Sequence, residues 1–189
     1  HETRWCYRLT AKELLSKDVR AWPPDIAWAR KHTMIEHSSL DRWEGVLSAS
    51  GTLLAACLPV AGQPLKSSAS QVPMAVDESV QRIMGMAQAL SVLHCNGLVH
   101  GELTTQNVWI DSGNTVLRRN ILFPPRSPYE IFSSGSSHGQ ELIGSAAPEF
   151  VLPDVQATPQ TDLYALGFRW LEMLLGHSPW SDSISLDGL

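Results

Sequence analysis

Apolar residues recur at Val80, Ile83, Met84, Ala87, Leu90 and Leu93, steps of three and four that predict an amphipathic helix over Asp77 to Cys95. Asn96-Gly97 supplies its stop, because glycine accepts the left-handed conformation that closes helices. Asp162 to Leu175 is apolar almost all round, which predicts a central buried helix. Nearer the start, Ala11 to Arg20 reads as a short amphipathic helix. Pro23-Pro24 interrupts it, and Asp25 to His37 resumes helical spacing, since proline is tolerated in a first turn but not mid-helix. Two Gly-centred turns between apolar runs predict hairpins. One joins Trp43 to Ser50 with Thr52 to Val60, and the other joins Val108 to Asp111 with Thr115 to Leu117. Gly62 to Pro73 is rich in Ser, Gly and Pro and reads as a linker or loop. Asn120 to Gly144 reads as a long loop, and loops of that length are usually functional or disordered. No internal repeat is visible, and the class is α+β.

Composition narrows this picture only slightly. Fourteen Lys+Arg against 19 Asp+Glu give a net charge of −5 in 189 residues, which excludes a basic nucleic-acid clamp. Hydrophobic residues make up 43% and seven are Trp, ample for one core. The longest apolar run, Thr52 to Gly62, contains Pro59 and falls short of the about 20 residues that span a bilayer, so no membrane span is expected. The first residue is His1, and no basic-then-apolar leader follows it, so the chain reads as a fragment or a processed product. Cys6, Cys57 and Cys95 are odd in number and never spaced C-x-x-C, which suggests reduced, mostly buried thiols in a reducing compartment or a complex. His94, Cys95 and His100 match no common zinc spacing. Ser145 lies in no Gly-x-Ser-x-Gly elbow, so a serine hydrolase is disfavoured.

Between the long helix and the second hairpin stands Leu98-Val99-His100-Gly101-Glu102-Leu103-Thr104-Thr105-Gln106-Asn107. This resembles the catalytic loop of protein kinases, His-Arg-Asp-Leu, three residues, then Asn. His100, Leu103 and Asn107 match, while Gly101 and Glu102 replace the Arg and Asp. Ala147-Pro148-Glu149 resembles the Ala-Pro-Glu that closes the activation segment. Asp162 to Gly167 resembles the start of the buried helix whose Asp holds the catalytic-loop backbone. His37 to Val46 is similar to the segment between the αC helix and the fourth strand. The resemblance covers residues 20–180 and implies a protein-kinase-like fold. Residues 1–61 would form a partial N-lobe, with a small antiparallel sheet, an αC-like helix, a hairpin and a hinge. Residues 62–189 would form a mainly helical, partial C-lobe through the αF-like helix.

The same resemblance exposes what is absent. Phosphoryl transfer needs a Lys on the nucleotide phosphates, an Asp on Mg²⁺ and an Asp near the acceptor hydroxyl. Arg119 or Asn120 stands where the magnesium-binding Asp of Asp-Phe-Gly is expected, and neither can anchor a divalent cation as a carboxylate would. Asn107 retains one possible ligand, and Asp111 is a remote substitute. Glu102 carries its carboxylate one methylene too far out, and Thr104 replaces a Lys that touches the transferring phosphate. Gly101 removes the Arg that phosphorylated activation loops engage. No Gly-rich loop precedes the αC-like helix, none of Lys12, Lys17 and Lys31 sits in a Val-Ala-x-Lys strand, and Trp28 falls at the αC Glu. Trp109 would either fill the adenine position or pack as ordinary core. The Ser133 to Ser137 cluster reads as flexible loop or as an acceptor of phosphate.

The resemblance therefore implies a degenerate kinase-like chain, a pseudokinase, in which His100, Glu102 and Asn107 are remnants and no metal or cofactor is bound. Its structural motif residues would be Ala147, Pro148, Glu149, Asp162 and Gly167. Such a chain would serve as a scaffold, an allosteric partner or a structural subunit of a larger protein assembly. The alternative is a divergent active Ser/Thr kinase that uses ATP and Mg²⁺ through Glu102 and Asn107.

Overall fold

The structure, a computed structural model, describes residues 5–9, 26–49, 52–65, 72–111, 113–121, 124–125, 127–128, 137–152 and 155–180. The expected helix over Ala11 to Arg20 lies outside them. Among the described residues are two three-stranded antiparallel sheets and four α-helices. In the first sheet β1 (Trp5–Leu9) and β2 (Trp43–Ala49) flank β3 (Thr52–Cys57). The second orders β4 (Gln63–Pro64), β5 (Val108–Asp111) and β6 (Asn114–Leu117).

Both anticipated hairpins are present, and two strands were not anticipated. β1 is five residues, Trp-Cys-Tyr-Arg-Leu, a composition suited to strands. It runs antiparallel to β3 from Trp5 opposite Cys57 to Leu9 opposite Leu53. The stretch read as linker from Gly62 starts instead with β4, paired with Trp109 and Ile110, and with Leu65, 1% exposed in the main core.

Helix α1 (Ile26–Thr33) stops four residues before the expected His37. The Arg119 guanidinium donates to the His32 carbonyl in the last turn of the helix and to the Ile35 carbonyl just beyond it. Helix α2 (Val76–Cys95) runs as expected. It closes where Gly97 adopts φ +63°, with the Gly97 N–H donating to His94 and the Leu98 N–H to Leu93, the paired bonds of a glycine-terminated helix. The buried face of α2 is rotated from the expected one. Met86, Ala89, Leu90 and Leu93 point inward with Ser79 and Arg82, while Met84 is 56% exposed. The two polar residues are admissible there because they are bonded. Arg82 donates to the Gly113 carbonyl at 2.7 Å and to Glu78, and Ser79 Oγ accepts from Trp170 Nε1.

The long loop expected after Asn120 contains helix α3 (Ser137–Ser145). Two glycines in nine residues hide it from a propensity reading. Pro148–Val151 form one 3₁₀ turn. Helix α4 (Pro159–Leu175) begins earlier than expected, in a reciprocal cap between Thr158 and Thr161, and ends at Gly176 in the left-handed region. It is not buried all round. Ala165, Leu166 and Met173 join the core shared with α2, whereas Leu163, Tyr164, Trp170, Leu171 and Leu175 are exposed.

No helix among the described residues is long and apolar enough to cross a membrane. Replacing Thr158 by Ala removes one half of the α4 cap, and the expected cost is about 1 kcal/mol. Urea unfolding measures it, and an unchanged midpoint would show that the cap does not hold α4.

Candidate functional site

The segment between α2 and β5 is shaped by one residue of α4. Asp162 is 1% exposed, and a buried carboxylate is costly unless donors surround it. Its Oδ1 accepts the Gly101 N–H at 2.7 Å, and its Oδ2 accepts the His100 N–H and His94 Nε2, each at 2.8 Å. Three donors thus hold it, and two of them are consecutive loop amides.

His100 is buried, with Nε2 3.0 Å from the Arg118 carbonyl and Nδ1 3.3 Å from the Glu102 N–H. A carbonyl only accepts and an amide N–H only donates, so the ring carries its proton on Nε2. Both nitrogens are used to brace backbone. Glu102 is also buried. Its carbonyl accepts from Asn107 Nδ2 at 2.9 Å, and its carboxylate accepts from Asn120 Nδ2 at 3.3 Å. His100, Glu102 and Asn107 are thus brought together with Asn120. Asp111 lies at the far end of β5, opposite Asn114, about 10 Å along the strand from Val108, too far to share an ion with Asn107.

Arg119 is 5% exposed and turns toward the connection between α1 and β2. Its Nε donates to Asp41 Oδ1 at 2.7 Å and its backbone N–H to Oδ2 at 3.1 Å. The two Nη groups donate to the carbonyls of His32, Ile35 and Asp41. Asp41 also accepts from Trp43 Nε1. Arg119, one of the two residues expected at the metal position, is therefore consumed in a buried ion pair.

Gly101 has φ +71°, and a Cβ built there would lie 2.1 Å from Cβ of Pro125. No side chain fits, so glycine at this position is a packing requirement. A cavity of about 10 Å³ between Gly101, Asp162, Leu142 and Phe150 has room for about one water.

Trp109 is half-buried, with Nε1 on the Gln106 carbonyl at 3.0 Å and the Arg118 guanidinium 5.2 Å above its ring. Trp28 lies on α1 with its ring 4.7 Å from His32. Ala147 is buried at the start of the 3₁₀ turn, and Pro148 and Glu149 are exposed. Gly167 is mid-helix, where a Cβ would meet no atom within 4 Å. Ser145 is buried and its Oγ bonds back to the Glu141 carbonyl. Of the thiols expected to be mostly buried, Cys57 is buried and Cys95 is exposed. Ser133, Ser134 and Ser136 lie outside the described residues. Among the described residues no three His, Cys, Asp or Glu side chains form a metal-binding group.

No family model matches the chain. It is 27% identical over 161 residues, 79% of the chain, to the probable leucine-rich-repeat receptor-like serine/threonine-protein kinase IRK of Arabidopsis thaliana. It is 26% identical over 111 residues, 59% of the chain, to an inactive leucine-rich-repeat receptor-like serine/threonine-protein kinase of the same plant. The chain spans 16% and 18% of the lengths of these relatives. The crystal structure of the PknI kinase domain of Mycobacterium tuberculosis superposes with a TM-score of 0.60 at 19% identity, covering 93% of this chain and 65% of that one. The fold is that of a protein kinase, over part of its extent.

Two predictions follow from the buried charges. Arg119→Leu leaves the Asp41 carboxylate buried without its cation, at an expected cost of about 3–5 kcal/mol. Denaturant unfolding checks it, and a variant as stable as the parent would mean that the pair holds nothing. His32 is 1% exposed with neither ring nitrogen bonded, and burial, then the nearby positive Arg119 and Lys31, lower its pKa from 6.5 to about 3. Between those values only the unfolded chain takes up the proton, so this contribution is full above about pH 6.5 and falls with acidification. By pH 5.5 the loss should be about 1.4 kcal/mol. Urea titrations at pH 7.5 and 5.5 should show that share missing from His32→Leu.

Proposed function

We propose that this protein-kinase-like domain is catalytically inactive and acts as a scaffold, an allosteric partner or a structural subunit of a protein assembly. The observation that carries the reading is Arg119. Where a kinase places the carboxylate that holds Mg²⁺, this chain has a buried guanidinium already paired with Asp41. The remaining donors are a poor fit for a divalent cation. Asn107 and Asn120 are neutral amides, and both are turned onto Glu102. Helix α1 contains no acidic residue to pair with a strand cation. The Trp109 ring under the Arg118 guanidinium supports a nucleotide position given over to side chains. The exposed apolar face of α4 supports a role in contacts with other proteins.

The second reading, an active and divergent Ser/Thr kinase, draws on the Glu102 carboxylate, on Asn107 and on the name of IRK. The name of the inactive relative points the other way, so the residues weigh more than the names. A thermal-shift titration with ATP and either Mg²⁺ or Mn²⁺ separates the two. The melting temperature should stay unchanged at millimolar nucleotide. A clear rise, by the mass-action stabilisation that any native-state ligand confers, would overturn the inactive reading.

A further inference from the structure

The three residues after Glu102 are out of solvent. Leu103 is 2% exposed, Thr104 0% and Thr105 8%. Helix α3 meets this stretch through Glu141, whose Oε1 accepts both the Thr105 N–H and the Thr105 Oγ–H at 2.7 Å. The same oxygen lies 3.5 Å from Nη1 of Arg169. Arg169, 1% exposed, also donates from Nε to the Leu103 carbonyl at 3.0 Å and pairs with Glu172. One carboxylate oxygen thus gathers an amide, a hydroxyl and a buried guanidinium, the donor set that holds a phosphate elsewhere in proteins.

The rest of α3 is fixed beside that contact. Leu142 is 4% exposed, and the Gly144 carbonyl accepts from Trp180 Nε1 at 2.8 Å. Nearer the loop, Pro125 sits against Gly101, leaving no space for a side chain.

We propose that α3 is a built-in strap over the catalytic-loop-like segment, with Glu141 as a permanent internal anion in the role that an added phosphate plays in switchable segments. The strap closes the loop face at Leu103 to Thr105, and its position is set by the sequence rather than by modification. That this face would otherwise receive an acceptor peptide rests on the kinase-like reading above, whereas the strap itself does not.

Hydrogen exchange followed by mass spectrometry on the whole chain tests the proposal independently of nucleotide binding. In Glu141→Ala, amides in residues 139–145 and around Thr105 should exchange about ten- to hundred-fold faster, the range expected for charged hydrogen bonds. Those in α2 should keep their protection. Added formate, which fits the vacated carboxylate position, should restore the parent pattern. Unchanged exchange in residues 139–145 overturns the proposal, and so does deprotection that formate leaves in place. If Glu141→Ala unfolds throughout, Glu141→Gln decides. It keeps an acceptor oxygen without the charge and should show the same pattern at smaller amplitude, with no change there overturning the proposal.

Discussion

The geometry around the loop depends on a single buried carboxylate. Asp162 lies in the first turn of α4, where the unpaired amides and dipole of a helix start favour a negative charge. It is then surrounded by His94 from α2 and by two successive loop amides. Each contact removes freedom from a different element, so one side chain sets the register of two helices and the turn between them. An apolar residue there would leave the two amides without acceptors, and buried unpaired amides are among the costlier defects a fold can carry.

A second clamp, Arg119 with Asp41, ties the end of β6 to the turn after α1. The sites share a theme. The charged and polar groups around the loop are bonded within the chain. Arg119 is spent on Asp41, Asn107 and Asn120 on Glu102, and His100 on two backbone groups. Asp162 holds the loop through the His100 and Gly101 amides, and the space against Pro125 admits only glycine at 101.

What could be read in the sequence divides along physical lines. α2 and α4 are long, strongly periodic and closed by local signals, so both are legible. The loop, Ala147-Pro148-Glu149 and Asp162 are legible because their order and spacing survive substitution. β1 is not, since five residues form a strand only by pairing with a hairpin more than 40 positions away. α3 is not, since its glycines oppose it and its support comes from Thr105, 36 residues back. The face of α2 was misplaced because two polar side chains, Ser79 and Arg82, are buried with partners from Trp170 and Gly113 that no periodicity count contains. At the site, the substitutions at 101, 102 and 119 are visible as letters. Where Arg119 goes is not, because its partner is 78 residues distant.

That partnership constrains what position 119 can hold. Arg119→Asp would set a second carboxylate against Asp41 inside the protein and leave the carbonyls of His32 and Ile35 without their donor. The two positions are therefore coupled, and an acidic residue at 119 is tolerated only if Asp41 and the turn after α1 change with it.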